Sequence, residues 1–121
     1  MRRNKFFEMD EKKIELIDRN GMHKHYERWS EYFISSTKIK VKYPEVKNIN
    51  HIVFAGMGGS GIVGEIVYDL FNDRLDIEII KDYHIPKHIN TNTLLIVISV
   101  SGNTEETFNI LKEGIKRGLN I

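Results

Sequence analysis

The sequence predicts an α/β fold built as a doubly wound parallel sheet, with a helical segment in front of it. Three observations carry this reading. From about residue 49 onward, apolar runs of strand length alternate with runs of helical period. Two of the strands end in turns rich in glycine and hydroxyl groups. His51-Ile52-Val53-Phe54-Ala55 runs into Gly56-Met57-Gly58-Gly59-Ser60-Gly61, and Leu94-Leu95-Ile96-Val97-Ile98 runs into Ser99-Val100-Ser101-Gly102-Asn103-Thr104. Finally, the strands differ in character. Residues 52–55 and 94–98 are almost wholly apolar, as parallel strands covered on both faces are. Ile77, Ile79 and Ile80 are instead interleaved with Asp76, Glu78 and Lys81, as on an edge strand. That difference predicts the strand order 2-1-3, the flavodoxin-like arrangement.

Residues 1–45 read as the N-terminal helical segment. Asp10 is placed to cap a helix holding Ile14, Leu16 and Ile17, with Gly21 as its stop. Met22, Tyr26, Trp29 and Phe33 then recur at helical spacing, giving an apolar face expected to cover the sheet that follows. Ile39, Val41 and Tyr43 alternate with lysines as a short strand or an extended linker. Pro44 argues against a helix continuing there.

Residues 46–121 carry the β-α-β, then β-α, pattern. After the first glycine turn, Ile62, Val63, Ile66, Val67, Leu70 and Phe71 lie on one face of a helix that Asn72 and Asp73 break. Pro86 and the polar residues 90–92 form the loop before the third strand. The last helix carries Phe108, Leu111 and Ile115 on one face and ends near Gly118, with Asn103 and Glu106 at capping-box spacing. Leu119-Asn120-Ile121 then reads as the start of a fourth strand. Without one, the third strand would be an open apolar edge, which natural proteins avoid. The expectation is a part of a larger protein, or a chain that needs a partner to finish its sheet.

Composition narrows the function. A length of 121 residues allows one domain at most, and a net charge of +1 gives no reason to expect nucleic acid or an anionic membrane as partner. The absence of cysteine removes disulfide and thiolate chemistry and fits an intracellular setting. No apolar stretch approaches the ~20 residues of a membrane span. Arg2, Arg3 and Lys5 are not followed by an apolar run, so they do not begin a secretory signal. A soluble, cytoplasmic protein is expected.

Both polar turns fall at the carboxyl ends of adjacent strands, where open α/β sheets bind ligands. Each offers backbone N–H groups and small hydroxyls at a helix N-terminus, where orphan donors and the helix dipole favour an anion. Two such turns together point to a phosphorylated small molecule. Gly56, Gly58 and Gly61 also fit the dinucleotide fingerprint, with Asp82 about 20 residues on. In the dinucleotide-binding order, however, the third strand lies away from the first turn, leaving Ser99, Ser101 and Thr104 without a joint role. Gly64, Gly114 and Gly118 read as glycines of packing and turn geometry.

The segments GMGGSGIVG and SVSGNTEET resemble the sugar isomerase (SIS) family of phosphosugar-binding domains. More narrowly, they resemble its bifunctional phosphoglucose/phosphomannose isomerases. The resemblance covers roughly residues 46–121. It implies an SIS-type sheet and an aldose–ketose isomerase acting on glucose 6-phosphate or mannose 6-phosphate and fructose 6-phosphate. No cofactor and no metal are implied. It places the sugar at Gly58, Gly59 and Ser60, and the phosphate at Ser99, Ser101 and Thr104. Where family members often have an aromatic residue between the two serines, this chain has Val100. The family's catalytic glutamate and histidine, and an arginine near the sugar, lie in a second SIS half that would follow residue 121. A homodimer, or a partner supplying that half, is therefore expected.

Isomerisation through an enediol needs a positioned base and a ring-opening acid. Among the residues present, Glu105 and Glu106 sit in a first helical turn, where carboxylates ordinarily serve the dipole and cap. His84 and His88 read as surface residues, and His23-x-His25 has too few companions for a metal site. A non-catalytic phosphosugar-binding or regulatory module is the alternative from a different class.

Overall fold

A computed structural model describes residues 10–42 and 45–121. The expectations resting on Arg2, Arg3, Lys5, Tyr43 and Pro44 lie outside them. The chain divides into two compact units, Met1–Tyr43 and Pro44–Ile121.

Among its described residues the first unit holds three short helices: α1 (Glu11–Ile17), α2 (Met22–Glu27) and α3 (Trp29–Ser36). Asp10 caps α1 as expected, its carboxylate accepting from the Lys13 N–H at 2.9 Å. Gly21 does not stop α1, which ends at Ile17. It takes a left-handed conformation (φ 65°) immediately before α2. The cap of α2 comes from Asp18, whose carboxylate accepts from the His23 N–H at 2.7 Å and meets His23 Nδ1 at 2.8 Å. The backbone N–H groups of His23 and Met22, then the His23 ring, hold Asp18 at a pKa of about 2. The single helix expected through Met22 and Phe33 is broken at Arg28, and Met22, Tyr26, Trp29 and Phe33 are all exposed. Residues 37–42 form neither helix nor strand.

The second unit is the α/β sheet. Strands β1 (His51–Ala55), β2 (Ile77–Ile80) and β3 (Thr93–Val97) are all parallel, in the order β2-β1-β3. The apolar β1 is central and the mixed β2 lies at an edge, as their compositions predict. The connection from β1 to β2 is α4 (Gly59–Phe71), and α5 (Glu105–Lys116) follows β3. Register puts Val53 beside Leu95, and Ala55 beside Ile80 and Val97. Because alternate residues face opposite sides, these form one face, which joins Ile85, Ile89, Ile110 and Leu119 in the core. Phe54 faces the other way and meets α4. The sheet is thus covered by helices on both faces.

How the helices dock departs from the apolar stripes. On α4 the buried positions are Gly61 and Gly64, while Ile62, Val63, Ile66, Leu70 and Phe71 are exposed. On α5 the buried positions are Thr107, Ile110 and Gly114, while Phe108 and Ile115 are exposed. The cause is close approach. A Cβ on Gly64 would lie 2.6 Å from the Phe54 Cβ, and one on Gly114 would lie 2.7 Å from a Leu95 methyl. Both glycines have the packing role their sequence suggests.

The end of α5 is a Schellman motif built on Gly118 (φ 66°). The Gly118 N–H reaches the Ile115 carbonyl at 3.1 Å, and the Leu119 N–H reaches that of Gly114 at 3.0 Å. This turns the chain back along the sheet. The Leu95 N–H then donates to the Asn120 carbonyl at 2.8 Å, and Asn120 forms a parallel bridge with Leu94. The last residues therefore begin to pair along the outer edge of β3, as the sequence suggests.

Candidate functional site

The order β2-β1-β3 puts the carboxyl ends of β1 and β3 side by side, with a polar turn on each. The ladder continues past the strands through Ile98 N–H to the Ala55 carbonyl at 2.8 Å. A third strand beside the first, rather than outside the second, removes the geometry that the dinucleotide reading requires.

The first turn is shaped by its glycines. Gly58 has φ 53°, and a Cβ on Gly61 would lie 2.6 Å from the Gly56 carbonyl oxygen. Gly56 itself lies against the Ile98 carbonyl, where a Cβ would approach to 3.1 Å. Gly59 is different: its φ is not left-handed, and nothing lies within 4 Å of where its Cβ would be. Conformation and packing thus account for three of the four glycines and leave Gly59 facing open space.

The second turn is a network of hydroxyls accepting from backbone. Ser99 Oγ accepts from the Gly102 N–H at 3.0 Å, and Ser101 Oγ from the Asn103 N–H at 3.3 Å. Ser101 and Thr104 share a hydrogen bond at 3.3 Å. Ser60 Oγ, from the first turn, accepts from the Val100 N–H at 3.3 Å. In each serine the backbone bond uses a lone pair, so the hydroxyl protons of Ser60 and Ser99, and one of the Ser101–Thr104 pair, remain available to an acceptor.

Thr104 is the N-cap of α5 and makes no side-chain cap bond. The capping box expected from Asn103 and Glu106 therefore does not form; the helix begins one residue later. Orphan N–H groups at this end remain to be satisfied from outside. Glu106 turns instead to the loop after β2. Its hydrogen bond and charge hold the Tyr83 hydroxyl above the usual phenol range.

The structure therefore brings Ser60 together with Ser99, Ser101 and Thr104, and leaves Gly59 open beside them. His84 does not join this group: its ring lies 3.6 Å from Glu113, in the last turn of α5. His88 pairs with Glu78 at 2.7 Å, and Glu78 also lies 3.7 Å from His51. Both histidines are exposed, as expected. Among the described residues no group of three His, Cys, Asp or Glu is placed to hold a metal ion, and no helix is long and apolar enough to cross a membrane.

Thr107 is the polar side chain that sequence reading missed. It sits on the buried face of α5, and its Oγ1 has no hydrogen-bond partner among the described residues. An orphan buried hydroxyl costs free energy. Thr107→Val, which keeps the shape, is expected to stabilise this unit by about 1 kcal/mol and raise its melting temperature by about 4–8 °C. A lower melting temperature would mean that the hydroxyl has a partner.

The chain is 44% identical over 72 residues to the bifunctional phosphoglucose/phosphomannose isomerase of Thermoplasma acidophilum, covering 60% of this chain and 23% of that protein. It is 42% identical over 71 residues to the Aquifex aeolicus protein of the same name, covering 56% and 22%. It is also 34% identical over 92 residues to the D-glucosamine-6-phosphate 4-epimerase of Sulfolobus acidocaldarius, covering 76% and 27%. The chain spans about a quarter of the length of these curated relatives. No protein-family model matches it, and no solved structure matches it significantly. Over about 60% of its length the chain is homologous to bifunctional phosphoglucose/phosphomannose isomerases.

Proposed function

We propose that residues 46–121 form an SIS domain that binds a hexose 6-phosphate, within an isomerase that interconverts glucose 6-phosphate or mannose 6-phosphate with fructose 6-phosphate. The observation that carries this reading is the meeting of the two turns, with three uncommitted hydroxyl protons beside the uncapped start of α5. A phosphate dianion accepts from such donors and is favoured by the helix dipole. Ser99, Ser101 and Thr104 hold it, while Gly58, Gly59 and Ser60 meet the sugar. Gly59 fits that role because neither packing nor conformation requires a glycine there, whereas a ligand approaching the backbone does.

The names of the relatives agree on the substrate more than on the reaction. One is named for an epimerisation and others for isomerisation, and all name a sugar phosphate. A shared binding turn with reaction-specific acid and base elsewhere accounts for that. His84 lies beside Glu113 and apart from the two turns, so it is not arranged as the proton carrier. The acid and base come from a second SIS half or a partner subunit, and the working form is a cytoplasmic homodimer.

Isothermal titration of the 121-residue chain tests this. Fructose 6-phosphate and inorganic phosphate are expected to bind and NAD is not. Gly59→Ala is expected to weaken the sugar phosphate while sparing inorganic phosphate. The chain alone is expected to show no isomerase turnover. Binding of NAD in preference to fructose 6-phosphate, or robust turnover, would overturn the reading.

A further inference from the structure

The two turns are joined by one side chain. Below the site, the backbone ladder of β1 and β3 ends with Ile98 N–H on the Ala55 carbonyl. Beyond that point, the hydrogen bond from Val100 N–H to Ser60 Oγ crosses from one turn to the other, linking residues 40 positions apart. The other bonds of the second turn are internal to it: Gly102 to Ser99, Asn103 to Ser101, and Ser101 with Thr104. Those bonds set the turn's shape. They do not set where its apex stands relative to α4. The Val100 side chain adds no hold, being 93% exposed.

We propose that Ser60 is a positioning residue for the second turn. By holding the Val100 amide it fixes the apex that carries Ser99 and Ser101, so that anion affinity at the second turn depends on a hydroxyl in the first. This rests on the reading of the second turn as a phosphate site, and it goes beyond a contact between Ser60 and the sugar. It also makes the two ends of a sugar phosphate energetically coupled. A ligand group that rotates the Ser60 hydroxyl changes the hold on Val100, and a phosphate that orders the second turn strengthens the acceptor's partner.

The test uses the full chain, inorganic phosphate as the probe, and amide hydrogen exchange by NMR. Ser60→Ala is expected to speed exchange of the Val100 amide by tenfold or more while leaving those of Gly102 and Asn103 unchanged. It is also expected to weaken inorganic phosphate about fivefold, the scale of one neutral hydrogen bond. Ser60→Thr, which keeps the hydroxyl, is expected to restore both. Val100→Pro deletes the donor and leaves Ser60 in place, so it must reproduce the loss of phosphate affinity if Ser60→Ala does not fold. Unchanged Val100 exchange in a folded Ser60→Ala chain would overturn the proposal. Unchanged phosphate affinity with only sugar phosphate weakened would overturn it too, by making Ser60 a sugar contact alone. If wild type and Ser101→Ala bind phosphate equally, the reading of the second turn fails instead, and the exchange data still decide whether Ser60 holds Val100.

Discussion

Arg117→Ala is expected to lower the melting temperature of the sheet unit by roughly 10–20 °C, from the loss of about 2–3 kcal/mol. The side chain closes α5 onto the segment between β2 and β3. Its Nη1 donates to the Ile85 carbonyl at 3.0 Å, and its Nη2 donates to Pro86 at 3.1 Å and to the Ile89 carbonyl. Ile85 and Ile89 are both core residues, so the guanidinium holds in place a loop whose apolar side chains plug the sheet. Truncation takes the charged donor away from the part-buried carbonyls of Ile85 and Ile89, and that penalty exceeds the net worth of the bonds themselves. Lysine is not expected to rescue the variant, because a single ammonium cannot span several carbonyls as the planar fork does.

Glu113 supplies a second readout of the same cluster. Burial pushes its carboxyl up, but the Ile85 N–H, Arg117 and His84 together outweigh this and hold it below its ordinary value. A lowered carboxylate contributes stability that is complete above the unfolded value, near 4.5, and lost as pH falls through the folded one. Arg117→Ala should shrink that acid-dependent part, measured as the difference in melting temperature between neutral and acidic buffer. An unchanged melting temperature at neutral pH would show that the loop stands without the clamp.

Strand order was legible because burial on two faces demands near-continuous apolar residues, which β1 and β3 have and β2 lacks. Both turns were legible for a local reason: glycine and serine at a strand's end have few other uses. Helix docking was not legible in the same way. Period alone marks which residues share a face, and α4 and α5 each carry more than one plausible face. The sheet selected the faces bearing Gly64 and Gly114, because small residues allow the closest approach to Phe54 and Leu95. The Arg117 clamp was also invisible, since its acceptors are backbone carbonyls about thirty residues away, and no side-chain pattern marks them. At the candidate site, residue types were readable. The link from Ser60 to Val100 emerged only once the two strands were adjacent.

Ser99→Ala, Ser101→Ala and Thr104→Ala are each expected to weaken fructose 6-phosphate binding by roughly 10–150-fold, at about 1.5–3 kcal/mol for each bond lost to a charged acceptor. The three losses should not be equal. Ser99 acts through its own hydroxyl, which accepts from Gly102 and leaves its proton for the ligand. Ser101 and Thr104 share one hydrogen bond, so each orients the other. Their double variant is therefore expected to lose less than the sum of the single losses, as residues in one network do. Ser99 and Ser101 also hold the turn by accepting from Gly102 and Asn103, so their replacement loosens the turn as well as removing a donor to the ligand. Titration calorimetry on the three single variants and the Ser101/Thr104 double variant measures both points. Unchanged affinity in all three single variants would remove the phosphate from this turn. Strict additivity in the double variant would show instead that the two hydroxyls bind the ligand independently.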